Sequence, residues 1–194
     1  MNIILASASP RRAQLLKQVK LDFTVAVSDI DEAQLESETA IDYVQRMARQ
    51  KALVGQANNP GDCAIIGADT IVCLDQKVLP KPSNKAEACA SLMMLSGRTH
   101  SVYTALSVLS PRNKLQAISA TSVDFRDISP AEAEAYWNSG EPLDKAGGYA
   151  IQGCGAGFVS SIKGSYSGVV GLPLYELMQL LAELEIPAPA LIEQ

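Results

Sequence analysis

The sequence is short of the groups that much enzyme chemistry depends on. It has one histidine, one tryptophan and three phenylalanines among 194 residues. His100 stands at the start of an apolar run with no acidic neighbour in sequence. A Ser-His-Asp or Cys-His enzyme is therefore not the expected chemistry. One histidine beside four scattered cysteines, with no Cys-x-x-Cys pair, also argues against a zinc centre. Those cysteines (Cys63, Cys73, Cys89 and Cys154) read as free, mostly buried thiols in a reducing compartment, hence a cytoplasmic protein. No apolar stretch approaches the ~20 residues of a membrane span. The opening MNIILASASP has neither the basic start nor the apolar length of a signal peptide. The net charge of −5 disfavours binding to long nucleic acid.

Phosphate-binding signatures fail as well. Gly148 and Gly153 have Walker A spacing, but Cys154 follows where lysine is required. Gly153-x-Gly155 meets Phe158 instead of the third glycine of a dinucleotide fingerprint. GSYSG at 164–168 has Tyr166 at the centre, where a nucleophile elbow needs serine.

What is present is an ordinary globular composition, 47% hydrophobic and 19% charged. A chain of this length forms one domain, or two lobes sharing a core, and buries roughly 70% of its unfolded surface. Strands are expected at 2–6, 23–27, 64–74, 77–79, 100–109 and 115–125, with further ones near 156–162 and 168–171. Helices are expected over 10–19, 39–56, from Ser83 or Asn84 to Leu95, 130–138 and 173–184. The first of these carries Ser9 as N-cap and Pro10 at N1. The 130–138 helix opens on the capping box Ser129-Pro-Ala-Glu132. A tail from about residue 185 is expected to be loosely held. Mixed order, with hairpins as well as crossovers, indicates an α/β fold on a mixed central sheet with flanking helices.

Four segments break local rules. In LASASPRR, a strand runs through a short loop into a helix whose first turn holds Arg11 and Arg12. The helix dipole disfavours cations there, unless a phosphate completes the site between them and the backbone N–H groups. A capped helix with two solvated arginines explains the same pattern. AIIGADTIVCL places Asp69 inside a buried-type strand, where an unpartnered carboxylate would cost several kcal/mol. Gly67 just before it admits close approach of another group. In the 39–56 helix, Ile41, Val44, Ala48 and Lys51 share one face, so Lys51 either snorkels at its edge or points toward Asp69 or a phosphate. Lys81 is stiffened between Pro80 and Pro82, as suits a positioned cation, although a solvated loop lysine also fits. With Glu32 of SDIDE, the inventory is two carboxylates (Asp69, Glu32) and four cations (Arg11, Arg12, Lys51, Lys81). Metal-assisted phosphoryl chemistry uses such a set.

SASPRR, GADTIV, LPKP, LSGRTHSVYTAL, EPLDKAGGYAIQG and VVGLPL, in that order from residue 2 to about 182, resemble the Maf family of nucleoside triphosphate pyrophosphatases. The resemblance implies a single 1–194 domain with two lobes around a deep cleft, like inosine-triphosphate pyrophosphatases, and a homodimer. It implies cleavage of a nucleoside triphosphate to monophosphate and pyrophosphate with Mg²⁺ or a similar ion such as Mn²⁺ or Co²⁺. By the same resemblance Asp69 is the proton acceptor, Glu32 and Asp69 are the metal carboxylates, and Ser7, Arg11, Arg12, Lys51 and Lys81 line the phosphates. Arg11, Thr70 and Gln152 match the dTTP/UTP branch, in place of the Trp, Gln and Glu of a 7-methyl-GTP branch. Gln152 offers both a donor and an acceptor, as the edge of uracil or thymine requires. A nucleotide-binding regulator of septum formation, with little catalysis, is the runner-up; pyrophosphate release from UTP or dTTP separates the two.

Overall fold

The first strand, β1 (Asn2–Leu5), is apolar and buried from Ile3 onward, as a strand covered on both faces must be. In the computed structural model, which describes residues 1–187, β1 pairs in parallel with β2 (Thr24–Val25) and with β3 (Cys63–Leu74). The register runs from Asn2 opposite Cys63 to Leu5 opposite Ile66. Parallel pairing needs crossover connections, and α1 (Pro10–Gln18) and α2 (Ala40–Asn58) supply them.

β3 folds back on β4 (Lys77–Leu79) through Asp75 and Gln76, with φ of 49° and 66°. Two successive positive φ values make the turn that suits a two-residue hairpin. Then come α3 (Lys85–Leu95), β5 (Thr99–Leu109), β6 (Lys114–Phe125), α4 (Pro130–Asn138), β7 (Val159–Lys163), α5 (Tyr166–Val170) and α6 (Leu174–Glu183). Two short 3-10 turns, Ala146–Gly148 and Cys154–Phe158, lie between α4 and β7. The strands bond in the order β2-β1-β3-β5-β6-β7, with β4 also on β3. Parallel pairs at β1 and antiparallel pairs at β3–β4 and β6–β7 make the sheet mixed, as expected.

The chain divides into two units. One comprises Met1–Asp69, Thr104–Ser119 and the chain from Gly171; the other comprises Thr70–Tyr103 and Ala120–Val170. The first has a core of Ile4, Ala6, Ala52, Cys63, Ile65 and Leu109. In the second, Val72, Leu92, Val102, Phe125, Tyr136 and Phe158 are among those packed together.

Several expectations shift on folding. The strand expected near 168–171 is instead α5: the Ser165 hydroxyl accepts the Gly168 N–H and its carbonyl the Val169 N–H, closing a helical turn over a β-favouring Val-Val pair. The strand expected near 156–162 begins only at Val159, because residues 154–158 wind as a 3-10 turn. The strand expected over 23–27 shortens to Thr24–Val25. Ile41 is 43% exposed and leaves the inward face that Val44, Ala48 and Lys51 keep. Asn84, not Ser83, caps α3 by accepting the Glu87 N–H. Cys63 and Cys73 are buried, Cys89 is half-buried and Cys154 is exposed; all four are free thiols. The expected loose tail falls mostly beyond the described residues. Among those residues no helix is long and apolar enough to cross a membrane.

Candidate active site

In the first unit, β1 ends opposite Ile66 of the longer β3, and the space beyond the carboxyl end of a parallel strand is where ligands bind in α/β sheets. From β1 the chain passes Ser7 into the N-terminus of α1, while β3 continues past Ile66 to Asp69.

The junction differs from expectation at its cap. Ser9 has N-cap geometry, but its side chain makes no capping bond. Its backbone N–H instead donates to the Ser7 hydroxyl oxygen at 3.1 Å, and Arg12 Nη1 donates to the same oxygen at 3.1 Å. With two donors already aimed at it, the Ser7 oxygen has its own O–H left to donate. Arg12 Nε donates to the Gly171 carbonyl at 2.7 Å, so the guanidinium of a 9%-exposed residue is fixed along two directions. Burial pulls the Arg12 guanidinium below its ordinary pKa; Asp69 pushes it up, Arg11 down and Glu32 up. Arginine remains cationic throughout. Arg11 is half-buried beside it, in a first turn that holds no acidic residue.

Lys51 turns inward to Asp69. Both residues are 8% exposed, and Lys51 Nζ donates to Asp69 Oδ1 at 2.6 Å. Gly67 makes this meeting possible. A Cβ at that position would stand 2.3 Å from the Ala48 carbonyl oxygen and 2.7 Å from the Ala52 nitrogen, so α2 lies directly on β3. The same ammonium lies 2.7 Å from Glu32 Oε1, whose side chain is 40% exposed.

The loop bearing Glu32 is held by residues that the sequence did not single out. Tyr43 Oη donates to the Glu32 carbonyl at 2.8 Å, and Arg46 Nη2 donates to the Ala33 carbonyl at 2.9 Å. Arg46 also forks onto Glu38, at 2.6 and 2.7 Å. Tyr43 and Arg46 are one turn apart on α2, and that spacing is the only signal that could have marked them. Burial first, then Asp69 and Glu32, hold the Tyr43 phenol above its ordinary pKa, so it stays a donor.

The Asp69 and Glu32 carboxylates, gathered at one ammonium, are hard oxygen donors of the kind that would hold a divalent ion such as Mg²⁺, for which one or two carboxylates suffice. Among the described residues no group of three or more His, Cys, Asp or Glu side chains forms a self-sufficient metal cluster.

In the second unit, Thr70 is half-buried on β3, Lys81 is exposed between β4 and α3, and Gln152 is exposed at a bend. Gly147, Gly148 and Gly153 flank Gln152 with φ of 65°, 73° and 96°. A Cβ on Gly147 would meet Val72 at 2.9 Å, so that glycine serves close packing as well as the turn. Thus Ser7, Arg12, Lys51, Asp69 and Glu32 come together within one unit, and Thr70, Lys81 and Gln152 belong to the other.

The family model for Maf-like proteins matches residues 2–184. The chain belongs to the Maf family. Curated relatives agree over nearly full length. A protein of Alcanivorax borkumensis named dTTP/UTP pyrophosphatase is 49% identical, over 96% of this chain and 97% of its own. One of the same name from Saccharophagus degradans is 47% identical, over 96% of this chain and 90% of its own. Among solved structures, the Staphylococcus aureus Ham1 protein overlaps 64% of this chain and 72% of its own, with a TM-score of 0.46 and 13% identity. The Maf assignment rests on the family model and the curated relatives, not on that overlap.

Proposed function

We propose that this Maf-family chain hydrolyses dTTP and UTP to the nucleoside monophosphate and pyrophosphate. The observation that carries the reading is the Lys51 ammonium held between Asp69 and Glu32, in the unit where Arg12 is locked to Ser7. In an acidic protein this is a local concentration of cations around a buried carboxylate, which is what binding a triphosphate and cleaving it require. The names of the curated relatives supply the nucleotides.

The start of α1 receives the phosphates. Arg11 and Arg12 contribute charge, Ser7 an O–H donor, and the first-turn N–H groups the positive end of the helix dipole. Asp69 accepts a proton from the attacking water at Oδ2, Oδ1 being held by Lys51. The water oxygen bonds to the α-phosphorus as the bond to the bridging oxygen breaks, and pyrophosphate leaves with that electron pair. Lys51 and Lys81 offset the charge that develops on the transferring and departing groups. Glu32 and Asp69 would hold the divalent cation, which polarises phosphate oxygens and neutralises their charge. Gln152 reads the uracil or thymine edge with one donor and one acceptor, and Arg11 and Thr70 complete the specificity set. In this reading the protein works in the cytoplasm, which its four unbridged cysteines suit, and as the homodimer that the family resemblance implies.

Incubation with UTP or dTTP and Mg²⁺ should release pyrophosphate, and Asp69→Asn should keep the fold and abolish release. Nucleotide binding without release in the parent protein would instead favour the regulator reading.

A further inference from the structure

We infer that Glu141 is a positioning residue for base recognition, fixing the bend that presents Gln152. The inference rests on the reading that Gln152 meets the base, and it adds how that residue is aimed. Glu141 follows the end of α4 and is half-buried, and its carboxylate is spent on backbone. Oε2 accepts the Cys154 N–H at 2.8 Å, and Oε1 accepts the Gly155 N–H at 2.9 Å. Oε1 also accepts the hydroxyl of Tyr136 at 2.8 Å. That same Tyr136 oxygen accepts the Ala150 N–H at 3.1 Å. Both stems of the bend, residue 150 on one side of Gln152 and residues 154–155 on the other, are thereby tied to one Tyr-Glu pair.

The glycines in this stretch are shaped to the carboxylate. A Cβ on Gly153 would stand 2.5 Å from Glu141 Oε2, so the carboxylate fills the side-chain space of the residue next to Gln152. A Cβ on Gly155 would stand 2.3 Å from the Ala150 carbonyl oxygen and 2.6 Å from the Tyr136 oxygen, so the two stems touch. Tyr136 is 4% exposed, and its ring meets Phe158 edge-on with centroids 5.0 Å apart. The anchor thus reaches into the core, whereas Gln152 itself is exposed. A glutamine on an untethered glycine-rich loop would order its backbone anew on every binding event; the clamp holds the backbone on both sides of Gln152 and lowers that cost.

Discrimination between UTP and CTP measures this directly. The two bases differ in the donor and acceptor placed at the edge, and a site built to hydrogen-bond one edge rejects the other through buried groups left unmatched. Glu141→Gln puts an N–H where the Cys154 or Gly155 N–H needs an acceptor. It should lower the ratio of UTP to CTP kcat/KM by about tenfold, the worth of roughly one hydrogen bond lost at a recognition site. The loss should fall in KM for UTP, with kcat near that of the parent. Tyr136→Phe keeps the ring in the core while releasing Ala150, and should move the ratio in the same direction. It also keeps the test available if Glu141→Gln does not fold. Gln152→Ala calibrates the readout. If Gln152→Ala leaves the ratio unchanged, the base reading fails and the inference falls with it. If Gln152→Ala collapses the ratio while the folded clamp variants keep it, or lower kcat equally for both nucleotides, Glu141 is structural only and the inference is overturned.

Discussion

Removing the Lys51 ammonium should expose an asymmetry between the two carboxylates it serves. The distances are almost equal, 2.6 Å to Asp69 and 2.7 Å to Glu32, but the side-chain exposures are 11% and 40%. Water screens the second pair and hardly reaches the first. Breaking a buried pair by deleting one partner costs about 3–5 kcal/mol, since the remaining charge is left without compensation. An exposed pair is worth about 0.2–1 kcal/mol. Lys51→Met keeps most of the aliphatic stem and removes the charge. In a double-mutant cycle with Asp69→Asn, the coupling should be about 3 kcal/mol; with Glu32→Gln it should be below about 1 kcal/mol. Lys51→Met alone should lower the melting temperature by about 6–20 °C, and adding Asp69→Asn should restore much of that. Urea titrations followed by far-UV circular dichroism give all the required free energies. Equal couplings for the two carboxylates, or a coupling to Asp69 near zero, would refute the burial argument.

Further expectations follow from the same structure. His100 is 3% exposed, and burial holds its pKa down to about 4, against an ordinary 6.5. The unfolded chain therefore takes up a proton that the folded chain refuses. Stability is lost as pH falls from about 6.5 to about 4, by roughly 3 kcal/mol in all, and urea titrations of His100→Gln should show a flatter pH profile. Gly67→Ala would drive a methyl into the backbone of α2. It should destabilise by roughly 1–3 kcal/mol in thermal melts and reduce turnover, because Lys51 is carried on that helix. Arg11→Trp combined with Gln152→Glu should weaken hydrolysis of UTP and dTTP in steady-state assays. Unchanged selectivity in that variant would show the base-reading residues to be elsewhere.

Much of the first unit was legible in the sequence because its signals are local or periodic. A carboxylate in a buried-type strand demands a partner, and helix geometry names Lys51 as one that faces inward. Gly67 could be read as a close-approach position, but only the fold shows that α2 fills the space. Other features depend on which distant backbone arrives where. Ser7 and Ser9 are equivalent by composition; the path of the chain makes Ser7 the acceptor for both Ser9 and Arg12. The Tyr43–Glu32 and Glu141–Gly155 bonds link residues 11 and 14 positions apart through loops without periodicity. The short helix α5 is a case of serine capping overriding the strand preference of two valines, with its own Gly168 and Val170 buried. The resemblance to a known family gives Gln152 a role but none to Glu141, although both lie in the same motif, EPLDKAGGYAIQG.

The most direct test of the account is hydrolysis of UTP in isotopically labelled water by the parent protein and by Asp69→Asn, with the oxygen label located by mass spectrometry. Attack at the α-phosphorus with Asp69 accepting the proton predicts label in UMP, unlabelled pyrophosphate, and negligible turnover by the folded variant. Label in the pyrophosphate, or an Asp69→Asn protein as fast as its parent, would contradict it.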